Sequence, residues 1–97
     1  MKYKVSYSDY AKEDKKEIKI YLSKFYPDTP KRFTTTLKKH IENIKENPYM
    51  YPIYNEDPEF HRMLVDNYIV LYQIYEDNKK IEIARILRAS WDIPKHI

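Results

Sequence analysis

Three arginines of this 97-residue sequence, Arg62, Arg85 and Arg88, fall in C-terminal stretches of β-type residues, which places their side chains on a sheet. A guanidinium presents a fixed fork of donors that matches phosphate. An ordinary ion pair or a solvated strand position would account for each of them as well. The three histidines are His40, His61 and His96. Imidazole titrates close to neutral pH, so His61 and His96 are candidates for proton transfer. His61 alternates with Arg62 along one strand, so the two side chains leave on opposite faces and cannot share a site there. His40 sits beside an apolar helical stripe, where a boundary role suffices. The histidines lie at no metal-binding spacing and the sequence has no cysteine, so no metal site is expected.

The missing residue types exclude more. Without glycine there is no P-loop, no dinucleotide fingerprint and no nucleophile elbow, since each needs backbone approach that a Cβ would block. No cofactor is expected. Without cysteine there is no disulfide framework and no thiol nucleophile, and the cytoplasm is the expected location. The N-terminal residues contain no apolar signal-type core, and no later run approaches the ~20 apolar residues of a spanning helix. Neither export nor membrane insertion is expected. The formal charge of +3 allows a nucleic-acid partner without demanding one. At this length one domain, residues 1–97, is expected, with the 11 tyrosines covering apolar area while keeping polar tips.

The elements that position these residues follow from periodicity. Tyr3, Val5 and Tyr7 alternate with Lys4 and Ser6, a short strand with one buried face. Ser8 then caps a helix whose stripe is Ala11, Ile18, Tyr21, Leu22 and Phe25, running up to Pro27. Thr29 and Pro30 start a second helix, with Phe33, Leu37, Ile41 and Ile44 as its stripe and Asn47-Pro48 as its stop. So short a connection makes the pair an antiparallel hairpin. Residues 48–59, rich in Pro, Tyr and acid, read as a loop. Three β-type runs follow, 60–65, 68–75 and 80–87, with Asp66-Asn67 and residues 76–79 as turns, because Asn and Asp tolerate left-handed backbone. The expected architecture is α+β: an N-terminal strand, an antiparallel helical hairpin, and a three-stranded antiparallel meander that completes a four-stranded sheet.

Several segments, taken together, resemble one family. The opening strand followed by Ser8-x-x-Ala11-x-x-Asp14 and Ile18-x-x-Tyr21-Leu22, the Asn47-Pro48 stop with Tyr51-Pro52 behind it, the hairpin from Arg62 to Ile74, and Ile83-x-Arg85-Ile86-Leu87 with Asp92-Ile93-Pro94 are similar to the RelE/ParE toxins. The resemblance spans nearly the whole chain, and its close is more ParE-like. It implies the toxin of a bacterial type II toxin-antitoxin module, of the kind associated with plasmid stabilisation, neutralised by a co-expressed antitoxin that wraps around it. It also implies that the strands 3–7 and 80–87 lie side by side at the sheet's centre, leaving 60–65 nearer an edge.

The family contains two activities. Members of the ribonuclease type act as mRNA interferases on the ribosome. Attack by a 2′-hydroxyl on phosphorus needs a base, cations to hold the developing charge and an acid for the leaving oxygen, with no metal or cofactor. Arg62 falls where some of these members carry a basic residue, with Arg85 and Arg88 as further cations. The sequence departs from that pattern: Ile69 stands where an arginine is usual, Arg88 where many carry histidine, Ala89-Ser90-Trp91 where arginines are common, and no tyrosine follows Tyr75. ParE-like members lack the same side chains and act as inhibitors of DNA gyrase, which this sequence favours over ribosome-dependent cleavage. A degenerate toxin that only binds antitoxin is the third reading. Two surfaces could receive a partner: the basic run Lys31, Arg32, Lys38, Lys39 and Lys45 of the second helix, and the rings of Tyr49, Tyr51 and Tyr54. A solvated face and caps on a small core are the ordinary explanations for these.

Overall fold

The computed structural model describes residues 2–25, 27–56 and 59–89. Its elements run β1 (Lys4–Tyr7), α1 (Asp9–Ser23), α2 (Thr29–Glu46), β2 (Ile53–Glu56), β3 (Glu59–Val65), β4 (Tyr68–Tyr75) and β5 (Lys80–Arg88). The strands form one sheet in the order β1-β5-β4-β3-β2, with β1 parallel to β5 and every other pair antiparallel.

The α+β class, the helical hairpin and the meander are as expected, but the sheet has five strands and is mixed. The extra strand is β2, inside the stretch read as a loop. Proline is tolerated just before an edge strand, and the Pro52 carbonyl accepts the Arg62 N–H at 3.0 Å, so the punctuation that suggested a loop marks only the strand's start. The sheet's centre also differs from the expectation. β1 and β5 are neighbours, as the resemblance implied, yet β1 is an edge and β4 is the middle strand. That position explains the unbroken burial of Tyr68 to Tyr72, since a central strand hides both faces.

One face of the sheet receives the helices. Ala11 from α1 and Phe33, Leu37, Ile41 and Ile44 from α2 pack on Met63, Val65, Val70, Tyr72, Ile81, Ile83 and Ile86. The α2 stripe is buried in full, as its spacing requires. α1 ends earlier than its apolar spacing suggests, at Ser23, so Phe25 lies in the following turn, exposed, against the edge of Tyr21 at 5.2 Å. Thr29 is the first helical residue of α2 and not its cap; Asp28 holds that position without a side-chain bond. The opposite face of the sheet carries a smaller apolar group, Ile69, Leu71 and Leu87, with Tyr54 and Phe60 against it.

The turns manage without glycine in two ways. Asp66 takes φ 54° between β3 and β4, the left-handed position expected of an Asx residue. Between β4 and β5 a single 3-10 turn, Glu76–Asn78, leads into Lys79 at φ 52°, so a lysine rather than an asparagine carries that conformation. Among the described residues no helix is long and apolar enough to cross a membrane.

Candidate functional site

β1 ends at Tyr7, opposite Ile83, while β5 continues to Arg88. Along the remainder of that edge α1 takes the place of a strand. The Ser8 N–H donates to the Ile83 carbonyl at 2.9 Å, and the Ser8 hydroxyl donates to the Ala84 carbonyl at 2.7 Å while accepting the Ala11 N–H at 3.0 Å as the helix cap. One turn on, Asp14 accepts the Ile86 N–H at 3.0 Å. Backbone groups that a missing strand would have left open are therefore satisfied by helix side chains.

The same carboxylate holds Arg85. Nε donates to Asp14 Oδ2 at 2.8 Å and one terminal nitrogen to Oδ1 at 3.1 Å, a two-pronged pair on a mostly buried carboxylate. The Tyr10 ring lies 5.7 Å from the guanidinium. Asp14 raises the Arg85 pKa further above its ordinary value, against the opposing effect of burial. Arg88, at the end of β5, stacks over the Tyr21 ring at 4.2 Å, and Tyr21 raises its pKa too. Two hollows meet at Tyr21, Tyr68 and Arg88: one of about 170 Å³ over Ile18 and Ile86, rimmed by Asp14 and Glu17, and one of about 600 Å³ reaching Arg32 and Asn67.

Arg62 is elsewhere. His61, Met63 and Val65 turn toward the helices, so Arg62, in register with Leu71, projects exposed from the opposite face. Of the three arginines, the structure brings Arg85 and Arg88 together along α1 and leaves Arg62 on the far side of the sheet. His61 is separated from Arg62 as the alternation requires. It is buried, its Nδ1 pairs with the Tyr51 carbonyl at 2.9 Å, and its ring stacks on Tyr72 at 5.3 Å. Its Nε2 is buried without a hydrogen bond, with Glu59 at 3.6 Å. His40 is tied to the Thr36 carbonyl at 2.9 Å. His96 and the ending from Trp91 to Ile97 lie outside the described residues.

The two candidate partner surfaces divide. Tyr51 packs on the main core and Tyr54 on the smaller apolar group, so both rings cap apolar edges; Tyr49 is exposed, its ring edge-on to His61 at 5.8 Å. In the basic run of α2, Lys45 pairs with Glu42 at 3.1 Å. Sequence reasoning missed Asp14 and Tyr21 as partners of the arginines. Tyr21, expected in the buried stripe, is instead exposed and shares with Tyr10 and Asp14 a separate side of α1, and that spacing was the signal. Among the described residues no cluster of His, Cys, Asp or Glu could hold a metal ion.

A strand, a helical hairpin and a meander in this order define the RelE/ParE class of toxins. Residues 5–93 match the family described as the ParE toxin of the type II toxin-antitoxin system parDE, and the chain belongs to that family as a toxin component. Among solved structures, it is similar to the chromosomal ParDE system of P. aeruginosa, with TM-score 0.76 and 13% identity over 91% of this chain and 97% of that one. It is also similar to the RelBE2 toxin-antitoxin complex of Mycobacterium tuberculosis, with TM-score 0.65 and 16% identity over 91% and 99% of the two chains. The isolated E. coli RelE toxin aligns with TM-score 0.62 and 13% identity over 97% and 93%. At such identities these likenesses speak to fold alone. No curated protein matches the sequence.

Proposed function

We propose that this toxin acts by binding rather than by cutting: that it inhibits DNA gyrase in the cytoplasm and is restrained by an antitoxin expressed with it. The observation that carries this reading is the dispersal of its cations. Cleavage of a phosphodiester requires base, acid and cation around one phosphorus. Here Arg85 is engaged by Asp14, Arg88 by Tyr21, and Arg62 stands on the other face. Neither described histidine is placed to help, because His61 faces the core and His40 is held on α2. In this reading Arg62 and Arg88 are contacts to the target and Arg85 anchors α1. The antitoxin partner is supported by the toxin-antitoxin systems among the structural neighbours.

The test adds purified protein to gyrase and relaxed plasmid. Loss of supercoiling with accumulation of cleaved DNA is expected. Intact gyrase activity together with message cleavage in translating ribosomes would overturn the proposal in favour of the ribonuclease. Harmless expression with both systems unaffected would leave only a degenerate toxin.

A further inference from the structure

The charges of α1 are sorted by side. Lys12, Lys15, Lys16 and Lys19 fall within one sector of the helix, next to its core stripe, while Glu13, Asp14 and Glu17 all lie outside that sector. With Tyr7 and Ile20 the lysines surround a shallow hollow of about 450 Å³. Among the described residues no carboxylate forms an ion pair with any of the four. The Lys15 ammonium sits 5.0 Å over the Tyr7 ring, and burial followed by the neighbouring Lys19 lowers its pKa.

Helix stability does not account for this sorting. Lys12 and Lys16, and Lys15 and Lys19, are like charges four residues apart, which repel on a helix surface. Lys12, whose N–H closes the first turn onto the Ser8 carbonyl, also stands at the positive end of the helix dipole. Lys15 gives up part of its hydration without gaining a counter-charge. The isolated chain therefore carries a row of mutual repulsion that a bound polyanion would relieve.

We propose that Lys12, Lys15, Lys16 and Lys19 grip the sugar-phosphate backbone of a double-stranded nucleic acid, independently of its sequence. Three features select that polyanion. Ammoniums on flexible stems are point charges that follow phosphates, and α1 carries no Arg, Asn or Gln to read a base edge. A single strand needs rings on which to stack its bases, and the Tyr7 ring is already covered by Lys15. An acidic protein surface needs aromatic or arginine anchors, whereas this hollow is lined chiefly by lysine, which protein interfaces disfavour. The row rises ~10 Å from Lys12 to Lys19, and a duplex presents a phosphate every ~1.7 Å of its axis, so each ammonium can meet its own phosphate.

The row stands apart from the arginine corner, and its binding is measured on the toxin alone, without gyrase, ribosome or antitoxin, so it and the proposed function can fail separately. The probe is a fluorescent duplex of about 20 base pairs, followed by anisotropy between roughly 50 and 200 mM salt. Each phosphate neutralised contributes about −0.9 to the slope of log K against log salt, so four lysines give about −3.6, a loss of roughly 150-fold across that range. K12Q/K16Q should halve the slope to about −1.8, and K12Q/K15Q/K16Q/K19Q should abolish binding. Glutamine matches lysine in helix propensity and removes the like-charge pairs, so both variants should melt no lower than the parent. Were K12Q/K16Q to melt lower, K16Q alone, with a slope of about −2.7, would take its place. K38Q/K39Q removes the same charge from α2 and should leave the slope unchanged. DNA and RNA duplexes share this backbone chemistry, so binding of either supports the proposal and the tighter of the two identifies the source. Absence of duplex binding, an unchanged slope in K12Q/K16Q, an equal loss in K38Q/K39Q, or tighter binding of single strands or of polyglutamate would each overturn it.

Discussion

Replacing Asp14 by alanine tests whether α1 truly substitutes for a strand along β5. The carboxylate accepts hydrogen bonds of 2.8 and 3.1 Å from Arg85 and of 3.0 Å from the Ile86 N–H. A buried amide left without an acceptor costs about 1–3 kcal/mol. The Arg85 side chain retains 28% exposure and can recover part of its hydration, so losing its partner adds about 1–2 kcal/mol, well under the 3–5 of a fully buried pair. Asp14→Ala should therefore destabilise by about 2–5 kcal/mol, a large share of the 5–15 that a small domain possesses. Asp14→Asn keeps an oxygen for Ile86 and gives up the charge, and Arg85→Ala keeps the Ile86 bond, so each should cost about 1–2 kcal/mol. Urea unfolding at constant m-value measures all three, and the melting temperature of Asp14→Ala should fall by roughly 10–40 °C for a domain of this size. If Asp14→Ala proved no worse than Asp14→Asn, or lay within about 0.5 kcal/mol of the parent, the carboxylate would not be closing the edge and the argument would fail.

Two further perturbations probe the opposite end of the sheet. Desolvation at its hydroxyl end, with Glu76 contributing, raises the Tyr49 phenol from 10.0 to about 12 although much of the ring is exposed, and burial raises Tyr72 as well. A raised phenol binds its proton more tightly when folded, so its contribution is complete below pH 10.0 and is lost as pH climbs toward about 12. Stability followed against pH should decline across that window while ultraviolet absorbance reports phenolate, and Tyr72→Phe should flatten the decline; a profile identical in parent and variant would remove Tyr72 from the cause. At His61, alanine should cost about 2–4 kcal/mol by emptying the space beside Tyr72, whereas phenylalanine keeps the stack and removes the unpaired Nε2, so it should cost about 1 kcal/mol or less. Equal losses in thermal melts would show that the bond to the Tyr51 carbonyl, not the ring packing, dominates.

Periodicity made most of the fold legible. The α2 stripe and the three C-terminal strands could be read because each is driven by burial of one face or two, and burial imposes a repeat on sequence. β2 escaped, since an edge strand of four residues with proline just ahead of it needs few apolar side chains and carries little pattern. The placing of β1 at the sheet's centre came from the resemblance and not from the missed strand: β1 pairs with β5 alone and is an edge with or without β2. Arg62, Arg85 and Arg88 could be recognised as cations on strands, but their partners could not. The Asp14–Arg85 pair joins residues separated by 71 positions, and whether an arginine meets a carboxylate or solvent depends on how a helix is laid across a strand end. Alternation alone did settle one relation correctly, the placing of His61 and Arg62 on opposite faces.

α1 connects these findings, because its three sides answer three different demands. Ala11, Ile18 and Leu22 face the core; Tyr10, Asp14 and Tyr21 engage the arginines of β5; and the lysines surround a hollow beside Tyr7. A helix that only covered a sheet would need the first side alone. The second exists because β1 is shorter than β5, so something must satisfy the Ala84 carbonyl and the Ile86 N–H, and Ser8 and Asp14 do so from within one helix. The upper part of β5 is thus sealed by side chains, the other edge of the sheet is formed by β2, and the outward side of β1 is met at its start by α2, where the Tyr3 N–H donates to the Lys45 carbonyl at 3.0 Å. Each helix therefore closes part of a border that a strand would otherwise have to cover.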